Sequence, residues 1–452
     1  MFLIIFPLHE LGTSYENLRK AFWIFRASDL PLSDEVYARI ILLKTIGRLA
    51  MAMNKKKLIL IAIPSLDVGG AEKHLLRILP LLKQRGYNVA LYVTNHRGIM
   101  YEKMIAAEVP VIVPPFCEFL NKLGKIGKPF IYSVSMLKLC LVIFKYRPSI
   151  LHFFLPGTYV LGTVSGLMMR APCMVMSRRI TNEYHKMHPI IAQIEPFLHK
   201  RMRAILATSL RVRDDLLKEG VSSNKLGLIY NGVNLDNYQI SYNKTAIKRS
   251  LCLAEDDFII INVANLYKRK GQEDLLHALN LIKEKLPKKW KLLCIGRNGG
   301  ERKALEDLRD RLNLKNHVIF LGQRHDVSQL LAIADVGVLS SHEEGFSNAL
   351  LECMVSSLPM VVTDVGGNAE AVIHHQSGLV VPPKEPQQLA GALLTLITDE
   401  EKRKEYGRAA RERIVNYFSL QTCVDRYDRF YQALLQADCH RAMEAVAIEE
   451  MK

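Results

Sequence analysis

The 452-residue chain contains no Gly-x-Gly and no G-x-x-x-x-G-K, so the dinucleotide fingerprint and the P-loop are both missing. Nicotinamide and ATP readings lose their main support. Asp-x-Asp is absent too, which removes the usual metal anchor for a diphosphate; no metal and no organic cofactor is expected. The eight cysteines (Cys117, Cys140, Cys173, Cys252, Cys294, Cys353, Cys423, Cys439) form no C-x-x-C pair. They read as small core residues in a reducing compartment rather than a zinc site or disulfide framework. The opening MFLIIFPLHELG lacks a basic n-region and a small-residue cleavage site, so it does not read as a secretory signal. The longest uncharged run, between Arg147 and Arg170, is broken by Pro148, Pro156, Gly157, Gly162 and Gly166. It divides into a strand (Ile150 to Phe154), a turn and a helix (Tyr159 to Met169) rather than a membrane span. A cytoplasmic protein is expected.

What is present begins with charge. The formal net charge is +16, and residues 54–233 carry 26 Lys and Arg against 10 Asp and Glu, so the whole excess lies in that half. Such asymmetry suits a polyanionic partner: the anionic inner face of the cytoplasmic membrane, a lipid diphosphate or nucleic acid. A solvated basic surface is the plain alternative.

Along the chain, apolar strands alternate with helices. In the first half the strands are Leu58 to Ile63, Val89 to Val93, Val111 to Val113, Ile150 to Phe154, Met174 to Met176, Ile205 to Ala207 and Leu226 to Ile229. A second series comprises Phe258 to Val263, Lys291 to Cys294, Val318 to Phe320, Val336 to Leu339, Met360 to Val362 and Leu379 to Val381. This pattern predicts an α/β protein with two Rossmann-like, doubly wound domains facing a central cleft, residues 54–233 and 234–435. The last helices, Glu400 to Tyr417 and Leu420 to Leu435, are expected to pack back across the cleft. Residues 1–53 do not resemble the start of a domain; the expected true start is Met51 or Met53. Residues 436–452 read as a frayed helical tail.

The most informative stretch is Ser340 to Asn368, SSHEEGFSNALLECMVSSLPMVVTDVGGN. A strand runs into polar residues, Gly345 turns the chain, and Ser347 caps a helix through Ala349, Leu350, Leu351 and Met354. Glu344 then lies before the helix and Glu352 about two turns along. Gly345, Phe346, Ser347 and Asn348 complete the candidate site. Two carboxylates flanking free helix N–H groups suit a nucleotide sugar, whose hydroxyls would face the acids and whose phosphates would face the N–H groups. Without a metal anchor, side chains and backbone must meet the diphosphate charge. Lys268-Arg269-Lys270-Gly271 opens a helix after the Phe258 strand, and Gly69-Gly70 opens another after the first strand. A solvated turn and an ordinary helix start are the plain readings of these two segments. His152 could face the cleft as a catalytic residue, Arg178-Arg179 follow a strand where an anion could sit, and Gly366 to Glu370 could shape a wall.

Taken together, these residues resemble the retaining glycosyltransferases of family 4, with the GT-B fold, from Leu58 to about Leu435. The resemblance is carried by Glu-x7-Glu (Glu344 to Glu352), SLDVGGAEK (Ser65 to Lys73), ATSLRVRDDL (Ala207 to Leu216), Asn231-Gly232-Val233, ANLYKRKGQEDLL (Ala264 to Leu276), TDVGGNAEAV (Thr363 to Val372) and SGLVVPP (Ser377 to Pro383). It implies that the second domain binds a UDP- or GDP-sugar and the first binds a glycan or lipid-linked acceptor, as in bacterial surface polysaccharide assembly, with a membrane rather than nucleic acid as the polyanion. Glu352 would hold the ribose, Glu344 the sugar, and Lys270 the leaving diphosphate, with Gly70 closing on it. Two positions depart from the pattern. Asn265 stands where many members carry Arg, leaving Arg269 or Lys268 as the second cation, and Phe154 stands where many carry His. A nucleotide-sugar epimerase of the same fold and a non-catalytic sugar-nucleotide-binding scaffold are the alternatives.

Overall fold

A computed structural model describes residues 58–447 apart from Leu123. The expected extension 1–53 and its start at Met51 or Met53 lie outside the described residues.

Two parallel sheets form the frame. The first has seven strands in the order β3-β2-β1-β4-β5-β6-β7. These are β1 Leu58–Ser65, β2 Asn88–His96, β3 Val111–Ile112, β4 Ile150–Phe154, β5 Met174–Arg178, β6 Ala204–Ala207 and β7 Leu226–Leu228. The second has six in the order β10-β9-β8-β11-β12-β13: β8 Phe258–Val263, β9 Trp290–Ile295, β10 Val318–Gly322, β11 Val336–Leu339, β12 Met360–Thr363 and β13 Gly378–Val381. Helices cover both faces, so the strands are apolar throughout rather than alternating; Leu58 to Ile63 of β1 are all buried. The strand order reverses between β1 and β4 in one sheet and between β8 and β11 in the other. Open α/β sheets bind ligands at the carboxyl ends beside such a reversal. This is the GT-B architecture of two Rossmann-like domains.

The chain passes between the sheets twice, and the two passages are hydrogen bonded to each other. Val233 N donates to Phe418 O (3.0 Å) and Leu420 N to Val233 O (2.8 Å). Beyond this point the helix Leu420–Leu435 packs on Gly70–Gln84, and Tyr427, Phe430 and Tyr431 join the core of the first sheet. The tail is a correction to the sequence reading. A short helix, Cys439–Glu444, brings Val446 onto the sheet edge, where Leu228 N donates to Val446 O (2.8 Å). A free edge amide and an apolar side chain are both satisfied by this docking, which opposes fraying.

Two expected site residues prove to be part of this packing. His152 sits in the middle of β4 with no solvent exposure, its Nδ1 2.7 Å from the Tyr431 hydroxyl and its Nε2 2.8 Å from the Ser177 hydroxyl. It fastens the returning helix to the sheet and does not reach the cleft. Arg178, at the end of β5, is also fully buried and bonds Glu195 (2.7 Å) and Glu219 (2.9 Å), with His185 and His199 closing the cluster. A buried guanidinium between two carboxylates is committed to the fold, since removing either partner leaves an uncompensated charge.

Burial lowers the His152 pKa from its ordinary 6.5 to about 3, and the neighbouring Arg179 charge acts the same way. His74, bonded to Tyr427, is lowered as well by burial. Between these values the unfolded chain binds protons that the folded chain refuses, so stability rises with pH across the window and falls as pH drops through it. Within that window His152 contributes a slope of about 1.4 kcal/mol per pH unit, and His74 acts in the same direction. Urea unfolding of His152→Gln, followed between about pH 4 and 5.5, should show a slope shallower than wild type by close to one proton. Equal slopes would contradict the assignment.

Candidate functional site

Two helix starts from opposite domains meet in the cleft. Gly70–Gln84 begins after β1 with Gly69 as its cap residue, and Asn348–Val355 begins after β11 with Ser347 as its cap. The Ser347 hydroxyl accepts from Leu350 N (3.3 Å), and Asn348 Nδ2 donates across the cleft to Gly70 O (3.2 Å). Helix N-termini carry unpaired N–H groups and partial positive charge, so two facing each other make a place for an anion. The domains approach closely at Gly345, where a Cβ would lie 2.1 Å from Arg179 O. Only glycine fits there.

The carboxylates meet cations at this junction. Glu344, nearly buried at the turn before the helix, has its Oε1 2.5 Å from Lys270 Nζ and 2.7 Å from the Ser341 hydroxyl. Lys270 reaches it from a 3-10 turn, Lys268–Lys270, which ends at Gly271 with φ +62. That left-handed backbone and the approach of Ser340 O, 2.0 Å from a would-be Cβ, both demand glycine. Glu352, one turn into its helix, pairs with Arg77 of the first domain at 2.5 Å. The Arg77–Glu352 pair thus spans the cleft, whereas Glu344 and Lys270 both belong to the second domain. Glu370 adds a strut: its carboxylate caps the first-domain helix Leu210–Lys218 through Leu210 N (2.8 Å) and Arg211 N (3.3 Å) and accepts from the Tyr230 hydroxyl (2.9 Å). Burial raises its pKa.

A cavity of about 620 Å³ runs along this junction, within the size range of small-ligand sites. Gly69, Gly70, Arg269, Lys270, Glu344, Gly345, Phe346, Ser347, Asn348 and Glu352 all border it, so most of the residues singled out in the sequence converge. His152 and Arg178 do not border it, for the packing reasons given above. Lys268 is likewise absent from the lining, which leaves Arg269 beside Lys270. Phe154 is fully buried and lies under the Arg179 guanidinium at 5.8 Å.

Of the Arg178-Arg179 pair only the second reaches the cavity, and several further lining residues escaped the sequence reading. Arg179 replaces its neighbour: it borders the cavity, bonds Asn231, and keeps a buried Nη1 without a partner among the described residues. Asn231 in turn donates to Phe346 O (2.8 Å), joining both domains. Arg297 and Arg324 also border the cavity. Asn265 holds the Arg297 turn by accepting from its backbone N–H (2.9 Å), so a cation is supplied from the next strand over. The rule that ligands gather at carboxyl strand ends, applied to β9, would have found Arg297. Glu72, in the first turn of Gly70–Gln84, faces the same cavity with its pKa raised by burial.

Comparison with known proteins places both halves. Residues 68–237 match the family model for glycosyltransferase family 4, and residues 243–413 match that for glycosyl transferases group 1. The N-acetyl-alpha-D-glucosaminyl L-malate synthase of Bacillus anthracis is 29% identical over 49% of this chain and 57% of its own length. The Escherichia coli UDP-Gal:alpha-D-GlcNAc-diphosphoundecaprenol alpha-1,3-galactosyltransferase is 23% identical over 80% of this chain and 94% of its own. Among solved structures, Anabaena HepE in complex with UDP and glucose has a TM-score of 0.72 at 23% identity, covering 83% of this chain and 100% of HepE. With one model matching each sheet domain and the two-sheet architecture shared, the chain belongs to the family 4 glycosyltransferases of GT-B fold.

Proposed function

We propose that this glycosyltransferase moves a hexose, with retention of anomeric configuration and without a metal, from a UDP- or GDP-sugar to a hydroxyl of a lipid-linked glycan. The observation that carries the reading is the convergence of Glu344, Glu352, Lys270 and the Gly69-Gly70 helix start on one cavity between the domains. In this reading Glu352 takes the ribose hydroxyls, sharing its carboxylate with Arg77. Glu344 takes the sugar hydroxyls. Lys270, Arg269 and the two helix starts face the diphosphate, whose growing charge they stabilise as the bond to the anomeric carbon breaks. The acceptor hydroxyl forms the new bond on the same face, and its proton passes to the departing phosphate oxygen, so no separate protein base is required. His152 has no part, being sealed in the core.

Uridine is favoured over guanosine by the names of the relatives: the E. coli enzyme uses UDP-Gal by name, and HepE was solved with UDP. The same E. coli name includes a polyprenol diphosphate, which supports a lipid-linked acceptor. Assembly of a bacterial surface polysaccharide is the proposed setting.

Glu344→Gln should lower transfer by at least about 100-fold while the thermal transition stays near wild type, because the change removes charge where the transition state needs it and keeps the shape. Turnover close to wild type would sink the reading. In a thermal-shift panel, a UDP-sugar at 100 times its Kd should stabilise the protein by about 2.7 kcal/mol, and EDTA should leave transfer unchanged. An EDTA-sensitive rate would refute metal independence, and a sugar product formed without acceptor would point to an epimerase.

A further inference from the structure

One surface of the first domain is apolar where it should be polar. No acidic residue occurs between Glu118 and Glu183, a stretch containing nine Lys and Arg. Its long helix, Gly124–Tyr146, has two apolar stripes. Ile131, Leu139, Val142 and Ile143 are buried on the inner side, and Ser135 there accepts from the Tyr92 hydroxyl of β2 through its backbone oxygen (2.7 Å). On the outer side Phe130, Leu137, Leu141 and Phe144 recur at helical spacing, with Leu137 64% and Phe144 67% exposed. A surface helix normally shows only the inner stripe.

The neighbouring helices expose apolar side chains as well. Pro156–Met168 packs between Gly124–Tyr146 and Pro189–His199. It exposes Leu167 and Met168, and Pro189–His199 exposes Ile190 and Phe197 seven residues apart. Exposed apolar side chains on three adjoining helices exceed what isolated surface hydrophobes explain. Lys128, Lys145, Arg147 and Lys200 lie exposed around them, while Lys186 is paired with Glu183 (2.6 Å).

We propose that this face docks on an anionic lipid bilayer, with the outer stripe of Gly124–Tyr146 lying in the interface and the lysines meeting lipid phosphates. By length and composition Gly127–Tyr146 could cross a membrane, but its inner stripe is committed to the sheet, so it lies along the surface. The absence of acids between Glu118 and Glu183 matches a negative surface, whereas a second copy of this basic face would repel itself. The inference deepens the lipid-linked acceptor reading and is independent of the donor.

The full-length protein is spun with vesicles of phosphatidylcholine alone or mixed with phosphatidylglycerol. Wild type should bind only the mixed vesicles at low salt and keep part of that binding at about 1 M salt, where charge attraction reaches only about 3 Å. Leu137→Ser combined with Leu141→Ser and Phe144→Ser should reduce binding at least about tenfold and abolish the salt-resistant part. UDP-sugar thermal shifts should be unaffected by the triple change, which separates this test from that of the donor site. Wild-type indifference to vesicles, or unchanged binding by the triple variant, overturns the inference. So does a wild-type dimer that the triple change converts to monomer, since the face would then be a self-interface.

Discussion

The site depends on the double passage of the chain between its two sheets. Because Val233 is hydrogen bonded to Phe418 and Leu420, the outgoing and returning strands form one narrow connection. The returning helix is then locked to the first sheet by Tyr427 and Tyr431, which hold His74 and His152. Everything in the cleft, including the approach of Gly345 to Arg179, inherits its alignment from that anchorage.

At the cleft the acids are already paired, Glu344 within its own domain and Glu352 across to the other. Glu344 is held by Lys270 and Glu352 by Arg77, while Glu370 caps a helix of the opposite domain. Each pair neutralises a carboxylate that would otherwise be desolvated alone, which costs far more than the pair contributes. In the proposed reaction the donor replaces part of this pairing: its hydroxyls offer hydrogen bonds to the acids and its diphosphate offers negative charge to the freed cations. Binding and closure are then the same event, since Arg77 and the Gly70 helix start come from one domain and the acids from the other.

Much of this was legible in the sequence. Parallel strands buried on both faces appear as plain apolar runs, and a polar break followed by a cap such as Ser347 marks where each helix begins, so the sheets and the strand–turn–helix layout of Ser340 to Asn368 could be read directly. The same burial hid which way individual side chains point. In a two-sided buried strand nothing alternates, so Arg178 and Arg179 look equivalent, yet one is locked to Glu195 and the other borders the cavity. His152 failed for the same reason. Pro189–His199 was absent from the sequence reading because its apolar residues lie on the exposed side as well as the inner one. Arg77 and Glu352 are 275 residues apart, and no local pattern reports such a pair. The tail looked free because its anchor, Val446, is a single residue meeting a sheet edge.

The central claim is that Glu352 holds the nucleotide. Titration calorimetry of UDP against wild type and Glu352→Ala tests it most directly. The account predicts an affinity loss of about tenfold or more in the variant, as expected for losing a charged hydrogen-bond acceptor. Equal UDP affinity in the two proteins would contradict it.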